Sequence, residues 1–185
     1  MSKEPKHVKW PSITRLSKAT VYLSEKIDGT SCGIHIADGK IAAVQSRNQL
    51  LENGKDQNGF AAWVRANEAT LVEDLGDGIH FGEWAGPGIQ KGYGLKEKTF
   101  FLFDTRHYGR PWLTPNLSVV PLLRTCQLDT AVFQEVLEGL KATGSVASPG
   151  FMRPEGIIVF VYDTQTRFKI LCENDNFHKG QLDGK

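Results

Sequence analysis

Several short stretches of this chain carry residue types suited to chemistry at phosphorus. Lys26 stands in Glu25-Lys26-Ile27-Asp28-Gly29-Thr30, between a predicted strand and a predicted hairpin. A lysine amine is a nucleophile only when neutral, and burial or nearby positive charge favours that form. Arg47, in Ser46-Arg47-Asn48, and Lys169, in Arg167-Phe168-Lys169, can supply such a field and can neutralise charge developing on a phosphoryl group. Glu83, in Phe81-Gly82-Glu83-Trp84-Ala85-Gly86, and Glu155, in Pro154-Glu155-Gly156-Ile157, are hard oxygen donors suited to Mg²⁺ or to ribose hydroxyls. Phe103, in the run TFFLFD, offers a ring that can stack on a purine. Gly29, Gly82 and Gly156 remove side chains where a nucleotide must approach the backbone.

Each residue also has a plainer reading. Lys-x-Asp-Gly alone is a weak signal, and Asp28-Gly29 also describes an exposed turn. Glu83 and Glu155 read equally as edge-strand carboxylates, Arg47 as a strand end and Lys169 as a solvated side chain. A single phenylalanine in FFLF is ordinarily core. The order and spacing of the whole set outweigh these separate readings.

In that order and spacing, the sequence resembles the covalent nucleotidyltransferase superfamily of ATP-dependent DNA and RNA ligases and mRNA capping enzymes. The stretch FGEWAGPGIQKG, residues 81–92, is similar to the form found in the RNA ligase branch that includes phage RNA ligases and trypanosome RNA-editing ligases. The resemblance runs from about residue 20 to about 178. It implies a single adenylation domain of α+β class, with antiparallel sheets and flanking helices, preceded by an arm over 1–20 and occupying 21–185. The little sequence after Lys169 leaves no room for the OB domain usual in DNA ligases and capping enzymes.

The resemblance also implies roles. Lys26 would form the lysyl-AMP, with Lys169 on the α-phosphate and Glu155 helping to place a metal together with Glu83. Glu25 and Ile27 would lie against the adenine, with Asp28 and Gly29 completing that motif. Arg47 would bind phosphate and ribose, Glu83 would contact ribose, and Phe103 would stack on the base beside Asp104. Arg167 is a candidate second cation. The implied cosubstrate is ATP with Mg²⁺, or Mn²⁺ in its place. The implied partner is a nucleic acid bearing 5′-phosphate and 3′-hydroxyl ends, RNA being favoured over DNA.

Some positions depart from the family pattern. Where many relatives end in Lys-x-Lys, this chain offers Arg167-x-Lys169 or Lys169-x-Leu171, according to register. Phe160 occupies the place of a lysine five residues after the Glu of Glu-Gly, and Ser31 stands where some relatives carry Asn. Within the class the rival readings are a DNA ligase and a capping guanylyltransferase, and these departures favour a third, a non-catalytic module that holds a nucleotide or RNA end, with a partner protein supplying the missing contacts.

The elements that must position these residues follow from pattern. Residues 32–37 and 40–46 form a hairpin around Asp38-Gly39. Residues 58–75 predict one amphipathic helix with Asn58 as its cap. Residues 79–85 and 99–105 read as buried strands joined by the glycine-rich loop GPGIQKGYG. Lys91, Lys96, Lys98 and Tyr93 of that loop are either solvated or in contact with a nucleic-acid backbone. Residues 129–143 form a helix capped by Asp129 and ended by Gly144. Residues 156–163 and 167–172 form a last strand pair.

Composition sets the outer limits. The chain has 185 residues, 22 Lys+Arg, 21 Asp+Glu and a net charge of +1. That is one ordinary domain able to bury a core. A charge this small predicts weak, salt-sensitive grip on nucleic acid. The polar N-terminus has no signal-peptide core, no apolar run is long enough to span a membrane, and three unpaired cysteines fit a reducing, cytoplasmic setting.

Overall fold

The computed structural model describes residues 6–13, 15–52 and 54–173. In chain order the elements are β1 (Thr20–Lys26), β2 (Thr30–Ala37), β3 (Lys40–Ser46), α1 (Phe60–Ala66), α2 (Glu68–Leu75), β4 (Gly78–Ala85), β5 (Thr99–Leu102), β6 (Leu117–Val119), β7 (Leu122–Gln127), α3 (Thr130–Thr143), β8 (Gly156–Val161) and β9 (Thr166–Leu171). The strands form two sheets, β7-β1-β8-β9 and β3-β2-β4-β5-β6. All neighbours are antiparallel except β5 and β6, which run parallel. The α+β class with antiparallel-rich sheets is as expected from sequence.

Each sheet buries one face under helix. Val21 and Leu23 of β1, with Ile157, Val159 and Val161 of β8, pack against Phe133, Leu137 and Leu140 of α3. The spacing of those three residues puts them on one stripe of the helix, and Asp129 caps it by accepting the Ala131 N–H at 2.9 Å. Cys32, Ile34 and Ile36 of β2, with Trp84 of β4 and Phe100 of β5, pack against Phe60, Val64 and Leu71 of α1 and α2. Lys26, Arg167 and Lys169 of the first sheet and Glu83 of the second lie on the opposite faces.

The two sheets are joined by short crossings. β1 leads into β2 of the other sheet through Ile27-Asp28-Gly29. β6 leads into β7 through Val120-Pro121, where Val120 donates to the Leu102 carbonyl and the Pro121 carbonyl accepts the Glu25 N–H, both at 2.9 Å. Lys26, the last residue of β1, therefore sits where one sheet hands the chain to the other.

The Asp38-Gly39 hairpin forms as predicted, with φ of 52° and 66°, the pair of positive values that matches the strand twist. Other expectations need correction. The helix over 58–75 is two helices. The Asn67 side-chain amide donates to the Trp63 carbonyl at 2.8 Å and competes with the backbone ladder there. Asn58 is not its cap. Asp56 accepts the Ala61 N–H at 2.7 Å, while the Asn58 carbonyl accepts Trp84 Nε1–H and the Lys98 ammonium. β5 stops at Leu102, short of the expected 105, and β6 and β7 were not expected. Among the described residues no helix is long and apolar enough to cross a membrane. Cys32, Cys126 and Cys172 are free thiols, and burial pushes the Cys32 thiol up to about 12.

Candidate active site

Lys26 Nζ lies 2.5 Å from Glu155 Oε2, with both side chains half-buried. The pairing follows from register. Gly156 opens β8 directly opposite Lys26, so the preceding Glu155 falls within reach of the amine. Gly156 itself is required by β9: a Cβ there would stand 2.1 Å from the Ile170 carbonyl oxygen, and its φ is +152°.

The second sheet supplies Glu83. It lies opposite Ser31, whose hydroxyl donates to Glu83 Oε2 at 3.1 Å. Burial pushes the Glu83 carboxyl up to about 7, against the Ser31 hydrogen bond and the Lys26 charge, while the Glu155 and Asp28 charges push it further up. Lys26, Glu83, Glu155 and Asp28 thus share one electrostatic neighbourhood, although they come from three separate stretches of chain. Gly29 allows that approach. A Cβ there would meet the Trp84 carbonyl oxygen at 2.5 Å, so this glycine is explained by β4 passing close rather than by a nucleotide.

β9 presents its cations to the same face. Lys169 stands opposite Ile158, Arg167 opposite Phe160 and Leu171 opposite Gly156. Arg167, Lys169 and Leu171 therefore share the face of Lys26. Leu171 is level with Lys26, and Lys169 is one step along the strand. The Arg167 guanidinium lies 4.5 Å from the centre of the Phe160 ring.

Arg47, just past β3, lines a small cavity of about 150 Å³ with Ser31, Gln45, Ser46 and Phe81. It thereby shares a wall with Ser31, the partner of Glu83. A larger cavity of about 450 Å³, lined by Tyr108, Arg110, Trp112 and Ser118 among others, contains none of Lys26, Glu83 or Glu155.

Four residues expected at the nucleotide are held as follows. Glu25 is fully buried on the opposite side of β1, and its carboxylate accepts from Tyr93 and from the Val146 and Ala147 N–H groups. Strand alternation turns it away from Lys26. The Ile27 side chain is buried in the apolar core. Phe103 lies beyond β5 and is 40% exposed, and the ring level with Glu83 is the buried Phe101. Asp104 is bound by Arg106, whose guanidinium reaches it at 2.6 Å and holds its carboxyl below the usual range.

Tyr93, read from sequence as solvated or in contact with a nucleic-acid backbone, is placed otherwise. It is buried, packs on Phe151 at 4.9 Å between ring centroids, and donates its hydroxyl to Glu25 Oε1 at 2.7 Å, 3.1 Å from the Lys26 carbonyl oxygen. The loop tyrosine is therefore part of the framework under Lys26 rather than a solvent-facing contact. The one available signal was a lone aromatic inside a glycine-rich loop.

Among the described residues, no three His, Cys, Asp or Glu side chains are gathered to hold a metal. Glu83 and Glu155 together nevertheless suit Mg²⁺, which takes one or two carboxylates and completes its shell with water and phosphate oxygens. The Glu155 charge adds to the burial that raises the Glu83 carboxyl, and a cation would offset that smaller contribution.

The family model described as RNA ligase matches residues 19–171. No curated protein matches the chain. Among solved structures, the Naegleria gruberi RNA ligase with PPi is similar at TM-score 0.61 and 22% identity, over 84% of this chain and 50% of that one. A variant of that ligase with ATP and Mn gives 0.61 and 22%, over 85% and 51%. Another with AMP and Mn gives 0.61 and 20%, over 90% and 56%. At such identities the likeness is one of fold, and the chain spans about half the length of those ligases.

Proposed function

The chain belongs to the RNA ligase family, and from that premise we propose that it is an ATP-dependent RNA ligase domain whose nucleophile is Lys26. The observation that carries the reading is the 2.5 Å contact of Lys26 Nζ with Glu155 Oε2, with Glu83 in the same electrostatic neighbourhood. The related Naegleria ligases were captured with ATP or AMP and Mn, in keeping with ATP and a divalent cation here.

The Lys26 ammonium must first release its proton, and Glu155 Oε2, at 2.5 Å, would take it and pass it to water. The amine then attacks the α-phosphorus of ATP. An N–P bond forms, the bond to the leaving pyrophosphate breaks, and the product is lysyl-AMP. The AMP passes to an RNA 5′-phosphate, and a 3′-hydroxyl displaces it to make the phosphodiester. Lys169 and Arg167, exposed on the Lys26 face of the first sheet, and Arg47, exposed just past β3, would serve the phosphate charge. Glu83 and Glu155 would hold a divalent cation, which when bound neutralises charge on phosphoryl oxygens.

The test is incubation with α-labelled ATP and Mg²⁺. Covalent label is expected on the wild-type chain and not on Lys26→Ala. Equal labelling of both would remove Lys26 from the mechanism. One observation favours a second reading, a module that binds a nucleotide or RNA end without catalysis: Leu171, not a cation, is the β9 residue level with Lys26. Nucleotide binding without covalent label would select it.

A further inference from the structure

The face of the first sheet that bears Lys26 continues well beyond it. Along β1 the residues on this side after Lys26 are Ser24 and Tyr22, so Tyr22 lies about 13 Å from Lys26 at the rise of an extended strand. Tyr22 stands opposite Phe160 of β8, with ring centroids 6.2 Å apart. Tyr162, one step further on the same side, lies 6.2 Å from Tyr22 in edge-on orientation. The Arg167 guanidinium lies 4.5 Å from the centre of the Phe160 ring, and Lys169 follows it along β9 towards Lys26.

Three features of this strip point to one ligand. Its rings are open: Tyr162 is 56% exposed, and Tyr22 and Phe160 are half-buried. β8 and β9 carry the cations Arg167 and Lys169 and no carboxylate, while Asp163 follows Tyr162 at one end and Glu155 meets Lys26 at the other. The strip lies on the same face of the sheet as Lys26, beyond the buried Ser24. An aromatic core would bury such rings. Rings flanked by cations on a sheet face are what unpaired bases and their phosphates require.

We propose that Tyr22, Phe160 and Tyr162, with Arg167 and Lys169, form a stacking platform for single-stranded RNA next to the end being joined. The bases lie on the rings, the phosphates meet the two cations, and the strand is led along β1 towards Lys26. On this view Phe160 is not simply a lost lysine. It exchanges a phosphate contact for a stacking surface, and Arg167 above it retains the charge. The proposal rests on the RNA ligase reading for its choice of RNA, but the two rings that its test removes, Tyr22 and Tyr162, are not needed to form lysyl-AMP from ATP alone.

The experiment is fluorescence anisotropy with a labelled, 5′-phosphorylated single-stranded RNA, run beside labelling by α-labelled ATP. A variant combining Tyr22→Ala and Tyr162→Ala is expected to bind RNA roughly tenfold or more weakly, the scale of a lost base–ring stack, and to take up label from ATP as the wild type does. Tyr22→Phe with Tyr162→Phe keeps the rings and is expected to bind as wild type. If the double alanine variant fails to fold, Tyr162→Ala alone, at an exposed position, is expected to weaken binding several-fold with an unchanged melting curve. Wild-type RNA affinity in folded alanine variants overturns the platform. So does a changed oligomeric state with unchanged RNA affinity, which would show that the rings seat protein. A wild-type chain that takes label but binds no RNA also overturns it. Failure of labelling in the wild type, with the ring-dependent RNA binding intact, would instead fell the ligase reading and leave the platform standing.

Discussion

The Tyr93 hydroxyl donates to Glu25 Oε1 at 2.7 Å, on the side of β1 opposite Lys26. Glu25 also accepts the Val146 N–H at 2.8 Å and the Ala147 N–H at 3.0 Å. One buried carboxylate therefore ties the strand that carries Lys26 to two loops, 86–94 and 145–151. Burial, and then the Glu25 charge, push the Tyr93 hydroxyl up, so it remains a donor across the working pH range.

Tyr93→Phe should consequently destabilise the chain by about 1–3 kcal/mol, because Glu25 is left buried with one donor fewer. Urea unfolding measures this. The same variant should slow lysyl-AMP formation, since the hydroxyl also lies 3.1 Å from the Lys26 carbonyl. Wild-type stability would show that the bond contributes nothing.

Glu155→Gln keeps the size of the side chain but loses its capacity as proton acceptor. Covalent labelling by α-labelled ATP should fall roughly 10²-fold or more, with circular dichroism unchanged. A labelling rate near wild type would free Glu155 from the chemistry.

Glu83 sets a pH dependence. Its carboxyl is raised to about 7 in the folded chain, against an ordinary value of 4.5, and burial is the main cause. The folded state thus binds the proton more tightly than the unfolded one. Its contribution to stability is fully present below about pH 4.5 and is lost as pH rises through about 7. Without ATP or metal, Glu83→Gln should abolish that decline. Thermal melts of the two proteins from pH 4 to pH 8 should converge at the acid end and separate at the alkaline end, with the glutamine variant melting higher. Parallel curves would refute it.

Gly29→Ala places a methyl group where the Trp84 carbonyl oxygen would be 2.5 Å away. Either β4 or the 27–29 crossing must move, at about 1–3 kcal/mol. Because the crossing follows Lys26 directly, labelling by ATP should fall as well. Unfolding and labelling at wild-type levels would show the contact to be slack.

Local patterns were legible where chemistry and periodicity act within a few residues. Asp38-Gly39 specified its hairpin because two positive φ values are cheap for that pair. Asp129 and the stripe Phe133, Leu137, Leu140 specified α3. β6 and β7 were not legible. β6 has three residues, and β7 is a mostly exposed edge strand without clean alternation. The break at Asn67 was hidden because one side-chain hydrogen bond, not periodicity, decides it.

The ordered residues from Lys26 to Lys169 were enough to point to the RNA ligase family, because residue types and spacing are properties of the chain alone. The tertiary structure decided which of them converge. Glu155 meets Lys26 through the β1–β8 register, and Glu83 joins them because the chain crosses between sheets within three residues. Glu25, adjacent to Lys26, is turned to the other side and serves the framework. A neighbour in sequence is an opposite in a strand, and only the packing of the two sheets shows which side faces the chemistry.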